Sequence, residues 1–282
     1  MKKQKDLEEI LERIDGKGYA AYRDIKGEYE CKGYVLSIDH AQVDPFAPPS
    51  KVRVKVGSSV HQIPKELWDS RAKKIATADF LTRAFRESIR KFYDGVSGSG
   101  KSGLLVIDDC GMQMIERTSV IISDKEIEVR FEVGLPAAGR KVLGRSAAQI
   151  FCKVLPQIVE ASLLYKNIQQ KVLKAQVELM LDQEVIREEL KKRDLVAFVA
   201  NGAILPRENG ISQKPLKKGS VPFKSPEHLE VTLNLPHKGE IKGMGIPKGI
   251  TLIVGGGYHG KSTLLNAIEL GVYNHIAGDG RE

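Results

Sequence analysis

Leu7, Ile10, Leu11 and Ile14 recur at the three-and-four spacing of one helical face, which predicts an amphipathic first helix ended near Gly16 and Gly18. Residues 34–39 (YVLSID) read as a strand. Residues 51–56 (KVRVKV) alternate charged and apolar side chains, the mark of a strand with one face in a core and one in water. Between them, residues 40–50 are rich in proline. His40 and Asp44 lie there, with Asp39 just before them, but no second His or Cys stands at ligand spacing, so a structural turn is expected. Over residues 81–93, Leu81, Phe85, Ile89 and Phe92 fall on one side of a helix and Arg83, Arg86 and Arg90 on the other. Strands follow at 103–108, 117–123 and 126–134. The first 140 residues therefore predict a mixed α+β domain.

From residue 146 to 193 the period becomes helical, with Ile158, Leu163, Leu164, Ile168, Val172, Val177 and Leu181 as its apolar stripe and Pro156 as a kink or boundary. Residues 141–196 are thus expected as a helical connector. Residues 195–207 read as a strand or loop with an Asn201-Gly202 turn, and 208–226 as an exposed basic loop punctuated by Pro215, Pro222 and Pro226. Three strands, 229–235, 239–246 and 249–256, separated by Pro236 and Pro247, complete a last region from 197 to 282.

The final strand runs straight into Gly255-Gly256-Gly257-Tyr258-His259-Gly260-Lys261-Ser262, which fits G-x-x-x-x-G-K-[ST]. Residues 262–270 (STLLNAIEL) then read as a helix. A short buried strand over 251–254, a glycine turn and a helix form the order a phosphate-cradling loop requires, because loop N–H groups and a helix N-terminus must converge on one anion. Gly255 and Gly260 permit the sharp turns, and Gly256 and Gly257 loosen the loop further. Lys261 is expected at the β- and γ-phosphates of a nucleoside triphosphate, the Ser262 hydroxyl on Mg²⁺, and Thr263 near the α-phosphate.

The same pattern occurs a second time, in Gly95 to Ser102, with the flanks reversed: a helix precedes it and a strand follows. No helix N-terminus points at that turn, so it is not expected to hold a nucleotide. Residues 71–101 nevertheless hold 8 Lys/Arg against 3 Asp/Glu. Arg83, Arg86, Arg90 and Lys101 are accordingly the candidates for an alternative role, contact with a nucleic-acid backbone such as RNA, weighed against an ordinary solvated helix face.

Composition limits the remaining choices. The chain has 282 residues and a formal net charge of +8, which favours acidic partners without selecting among them. Cys31, Cys110 and Cys152 are scattered, which argues against a disulfide framework or a zinc cluster and for buried free thiols. The N-terminus lacks the apolar core of a signal peptide, and no apolar run reaches membrane-spanning length, so a cytoplasmic protein is expected.

The three strands leading into the phosphate loop resemble the nucleotide-binding domain of ABC ATPases, where a small antiparallel sheet precedes the loop. An aromatic ahead of the loop often stacks on adenine in that fold, with Phe223 the nearest candidate here and a place in the core the equal alternative for it. More narrowly, SIDHAQVDPFAPPSKVRV, SGSGKSGLLVID, LVAFVANGAILPRENG and the last block, through Asp279-Gly280-Arg281-Glu282, resemble the predicted ATPases of the ABC class. The resemblance spans nearly the whole chain. It implies an N-terminal α+β domain, the beginning of an ABC-type P-loop core, ATP and Mg²⁺ as ligands, dimerisation around two nucleotides, and, in some relatives, association with RNA. It also implies an acidic strand after the loop, a signature helix and a switch histidine, none of which can be placed in this sequence. The runs ending in Asp39 and in Asp108-Asp109 lie upstream of the loop. The expectation is therefore an N-terminal portion of a larger ATPase, one that binds ATP while hydrolysis requires elements downstream.

Overall fold

A computed structural model describes residues 1–282. The chain divides into two compact units. The first comprises residues 1–66, 78–109 and 117–170; the second comprises 67–77, 110–116 and 171–282. No helix is long and apolar enough to cross a membrane.

The first unit is built on a seven-stranded sheet of β1 (Lys2–Lys3), β2 (Gly27–Cys31), β3 (Tyr34–His40), β4 (Ser50–Gly57), β8 (Glu126–Val133) and β5 (Leu105–Val106), in that order. The seventh strand, β7 (Val120–Ile122), pairs β8 as well. All pairs are antiparallel except β1 with β2. In the central pair, Val52, Val54 and Val56 face Phe131, Val129 and Ile127, and all six are buried. Their charged neighbours stay on the wet face, as period-two alternation dictates. There Arg53 forms a fork on Asp39 at 2.6 and 2.7 Å and reaches Glu128 at 2.9 Å. The hydrogen bonds from Arg53 hold the Asp39 carboxyl below its usual range.

Helix α1 (Gln4–Ile14) buries Leu7, Leu11 and Ile14. The one-turn α2 (Ser58–His61) follows β4. Helix α3 (Arg71–Phe92) begins in the second unit and continues in the first, where Leu81, Phe85 and Ile89 are buried and the Phe85 ring lies 5.3 Å from that of Phe131. The short β9 (Ala137–Ala138) and β10 (Lys141–Val142) pair with each other. Strands 103–108 and 117–123 are shorter than the sequence pattern suggests, because only residues 105–106 and 120–122 find a place beside β8.

The long helical stretch is broken twice. Helix α4 (Gly144–Ala148) passes through a π-helical turn at Gln149–Val154 into α5 (Leu155–Leu163). Pro156 lacks the N–H that would bond to the carbonyl four residues back. That carbonyl, of Cys152, instead accepts the Gln4 Nε2 at 3.1 Å. Leu164 is extended, and the chain resumes as α6 (Gln170–Lys192). Residues 141–196 are thus shared, those up to Gln170 belonging to the first unit and the rest to the second. Cys31 and Cys110 are buried and form no disulfide, and burial pushes the half-buried Cys152 thiol up to about 12.

The second unit holds a three-stranded antiparallel sheet of β11 (Leu195–Ala200), β13 (Gly239–Pro247) and β12 (Glu230–Leu235), with β13 central. Asp182 of α6 ties its hairpin turn: the carboxylate accepts the backbone N–H of His237 at 3.0 Å and of Lys238 at 2.8 Å. Helix α7 (Lys261–Leu270) buries Ala267 in a cluster with Val199, Leu205, Met244 and Ile246, against which Leu264, Ile268 and Phe223 also pack. The pair of β6 (Gln113–Met114) with β14 (Asn274–His275) completes the unit.

One expectation is overturned. Residues 249–256 do not form a strand, and the buried strand over 251–254 is absent. The composition is that of a strand, but a strand needs a hydrogen-bonding neighbour, and no segment of this chain pairs with it. Ile250, Leu252 and Val254 are consequently bare, Leu252 at 84% exposure.

Candidate functional site

The loop from Gly255 to Gly260 turns directly into α7. Gly260 takes the left-handed conformation (φ 78°) that closes the loop and leads into the helix at Lys261. A Cβ at Gly256 would meet the His259 ring at 3.1 Å, so glycine there leaves room for that side chain. Lys261 bends back over the loop, its Nζ donating to the carbonyls of Gly255 at 2.7 Å and Gly256 at 2.5 Å. By helix geometry, the N–H groups of Lys261, Ser262 and Thr263 have no acceptor inside α7, and no side chain caps them. Ser262 is exposed and Thr263 half-buried in the same first turn. Free N–H donors, the positive end of the helix dipole and an ammonium on one loop form an arrangement suited to phosphate.

The second glycine-rich match is a different object. It runs from α3 into β5, and several of its donors are already used. The N–H groups of Ser99, Lys101 and Gly103 bond to the carbonyls of Ala137, Pro45 and Gly134 at 2.8 to 2.9 Å. The Ser102 hydroxyl donates to the Ser99 carbonyl at 2.7 Å and accepts the Ala137 N–H at 2.9 Å. A loop that spends its N–H groups internally offers no cradle.

The basic residues around that turn are also engaged. Arg83 makes a fork on the buried Asp79 at 2.7 and 3.2 Å, and Arg117 reaches the same carboxylate at 2.9 Å. Arg86 pairs with Asp109, and Arg90 bonds to Glu87 at 2.7 Å. Lys101 is exposed and makes no ion pair. The structure therefore does not gather Arg83, Arg86, Arg90 and Lys101 into one unpaired cationic face. Phe223, expected as a base-stacking candidate, is half-buried against the apolar cluster under α7.

What sequence reasoning missed is the chain just beyond α7. Asp279 is fully buried and is the hub of a charged cluster. It accepts from Arg281 at 2.8 and 3.0 Å and from Arg207 Nη1 at 3.0 Å, and His275 Nδ1 lies 3.1 Å away. Burial on its own would raise this carboxyl, but the His275 ring beside it and the hydrogen bonds from Arg281 outweigh burial and hold the group at about 2. His275 Nε2 donates to the Leu270 carbonyl, at 3.0 Å, in the last turn of α7. Helix α6 grips the same region: Gln183 exchanges two hydrogen bonds with the His275 backbone, and Arg187 binds Asn274 Oδ1 and the Gly271 carbonyl. The Asp279-Gly280-Arg281-Glu282 block was the one signal of this cluster in the sequence. An apolar cavity of about 280 Å³, lined by Ile186, Phe198, Ile241, Ile268 and Tyr273 among others, includes none of residues 255–263.

Residues 4–166 match the family model described as the N-terminal part of the ATPases of the ABC class, and residues 169–282 match the model of that family's P-loop domain. The chain belongs to the ATPases of the ABC class. It also resembles the uncharacterized protein MJ1628 of Methanocaldococcus jannaschii, with 32% identity over 144 residues. The matched part covers 46% of this chain and 32% of that protein. The glycine loop and α7 lie within the residues that match the P-loop domain model.

Proposed function

We propose that the chain binds ATP with Mg²⁺ through Gly255, Gly256, Gly257, Gly260, Lys261, Ser262 and Thr263. The observation that carries this reading is the uncapped N-terminus of α7, with Lys261 folded onto the glycine loop beside it. The loop and first-turn N–H groups would take the phosphate oxygens, and Lys261 would exchange its two carbonyl partners for β- and γ-phosphate oxygens. Ser262, exposed in the first turn, would supply the Mg²⁺ ligand. The metal would neutralise phosphate charge.

Hydrolysis is a separate question. Of the upstream carboxylates that end an apolar run, Asp39 is held by Arg53, Asp109 by Arg86, and Asp108 accepts from Ser119 at 2.9 Å. All belong to the first unit and are committed to local partners. The nucleic-acid reading of the basic helix finds less support, since Arg83, Arg86 and Arg90 each face a carboxylate.

Titration with a fluorescent ATP analogue tests the proposal. Saturable binding should depend on Mg²⁺ and weaken when EDTA removes it. Ser262→Ala should lose most of that metal dependence. Binding that ignores both EDTA and Ser262→Ala would remove the assigned role of this turn.

A further inference from the structure

Tyr258 sits inside the glycine loop with its backbone in the left-handed region, at φ 60°. Positive φ is routine for glycine and strained for a bulky side chain. Gln62 and Asp194, the other non-glycine residues with positive φ, are polar; Tyr258 alone is aromatic. Glycine stands at positions 255, 256, 257 and 260 of the same loop, and would adopt this conformation without strain. The tyrosine also does nothing for the fold. Its exposure is 110%, and it makes no hydrogen bond or ring contact. A strained and wholly bare aromatic in a ligand loop calls for a ligand-side explanation.

The chemistry of the loop narrows that explanation. Backbone N–H groups, Lys261 and Ser262 account for phosphate and metal, and none of them addresses the sugar or base. Phe223 is packed into the apolar cluster beneath α7. We propose that Tyr258 is a nucleotide-contacting residue whose ring closes on the sugar and base of the nucleotide that the loop holds by its phosphates. This rests on the nucleotide reading of the loop and adds a determinant of what that nucleotide must carry.

The test compares wild type, Tyr258→Gly and Tyr258→Phe for binding of Mg-ATP and of inorganic triphosphate, together with their unfolding midpoints. Loss of one stacked aromatic weakens binding by about ten-fold. Tyr258→Gly should therefore bind Mg-ATP about ten-fold more weakly, by the same stacking argument, while its unfolding midpoint holds or rises. Tyr258→Phe should keep the affinity, and inorganic triphosphate, without sugar or base, should bind all three alike. Wild-type affinity for Mg-ATP in Tyr258→Gly overturns the proposal. So does a parallel loss for triphosphate, which would assign the effect to loop geometry, and so does an equal loss in Tyr258→Phe, which would assign it to the hydroxyl. Wild type that binds neither ligand would instead overturn the loop reading itself, and this inference with it.

Discussion

Lys261→Ala is expected to lower the affinity for Mg-ATP by at least about a hundred-fold, because two hydrogen bonds to charged groups, each worth about 1.5–3 kcal/mol, disappear together. The ammonium is already over the loop, 2.7 and 2.5 Å from two of its carbonyls, so little rearrangement separates the free from the loaded position. Lys101→Ala is the matching control. It occupies the same place in the other G-x-x-x-x-G-K-S match, but the N–H groups of that turn are bonded to Ala137, Pro45 and Gly134. Calorimetric titration should find Lys101→Ala at wild-type affinity. Equal losses in the two variants would contradict the assignment of the downstream loop.

The second large effect is on stability. Asp279→Ala should destabilise the protein by about 3–5 kcal/mol, since removing one partner of a buried ion cluster strands the others in a low-dielectric site. Arg281, at 6% side-chain exposure, would lose its counter-charge. Arg207, whose guanidinium is already pulled below its ordinary value by burial and by Arg281, would lose its nearest carboxylate. Urea unfolding measures the change. It also carries a pH signature. The native carboxyl sits at about 2, below its unfolded value, so its contribution is complete above roughly pH 4 and is lost as pH falls toward 2. Wild type should show this acid limb, and Asp279→Ala should lack that part of it. A variant within 1 kcal/mol of wild type, with the limb intact, would mean the cluster is not the hub its geometry indicates.

Legibility followed periodicity. The spacing of Leu7, Leu11 and Ile14, the valines of β4, the alternation of β8 and the apolar face of α3 each recorded a local pattern that burial later used. Where structure depends on a distant partner, the sequence was silent. The π-helical turn before Pro156 is accommodated by Gln4, 148 residues away, and Arg207 meets Asp279 across 72. Strand β2 alternates Glu28, Tyr29, Glu30 and Cys31, and its brevity between Gly27 and Gly33 hid it. Residues 250–254 are the converse case. Their side chains have strand character, but hydrogen-bonded pairing is a property of two segments, and no segment of this chain pairs with them. For the candidate site, the loop and its helix were plain from Gly255 to Leu270, whereas the clamp from α6 and the Asp279 cluster emerged only with the tertiary contacts.

Hydrogen exchange at the two glycine loops, with and without Mg-ATP, addresses the central claim most directly. Without ligand, the N–H groups at 255–263 should exchange fast and those of Ser99, Lys101 and Gly103 slowly, since only the latter are bonded. Adding Mg-ATP should slow exchange across 255–263 and leave 95–103 unchanged. Protection confined to 95–103, or none at 255–263 under saturating Mg-ATP, would contradict the account.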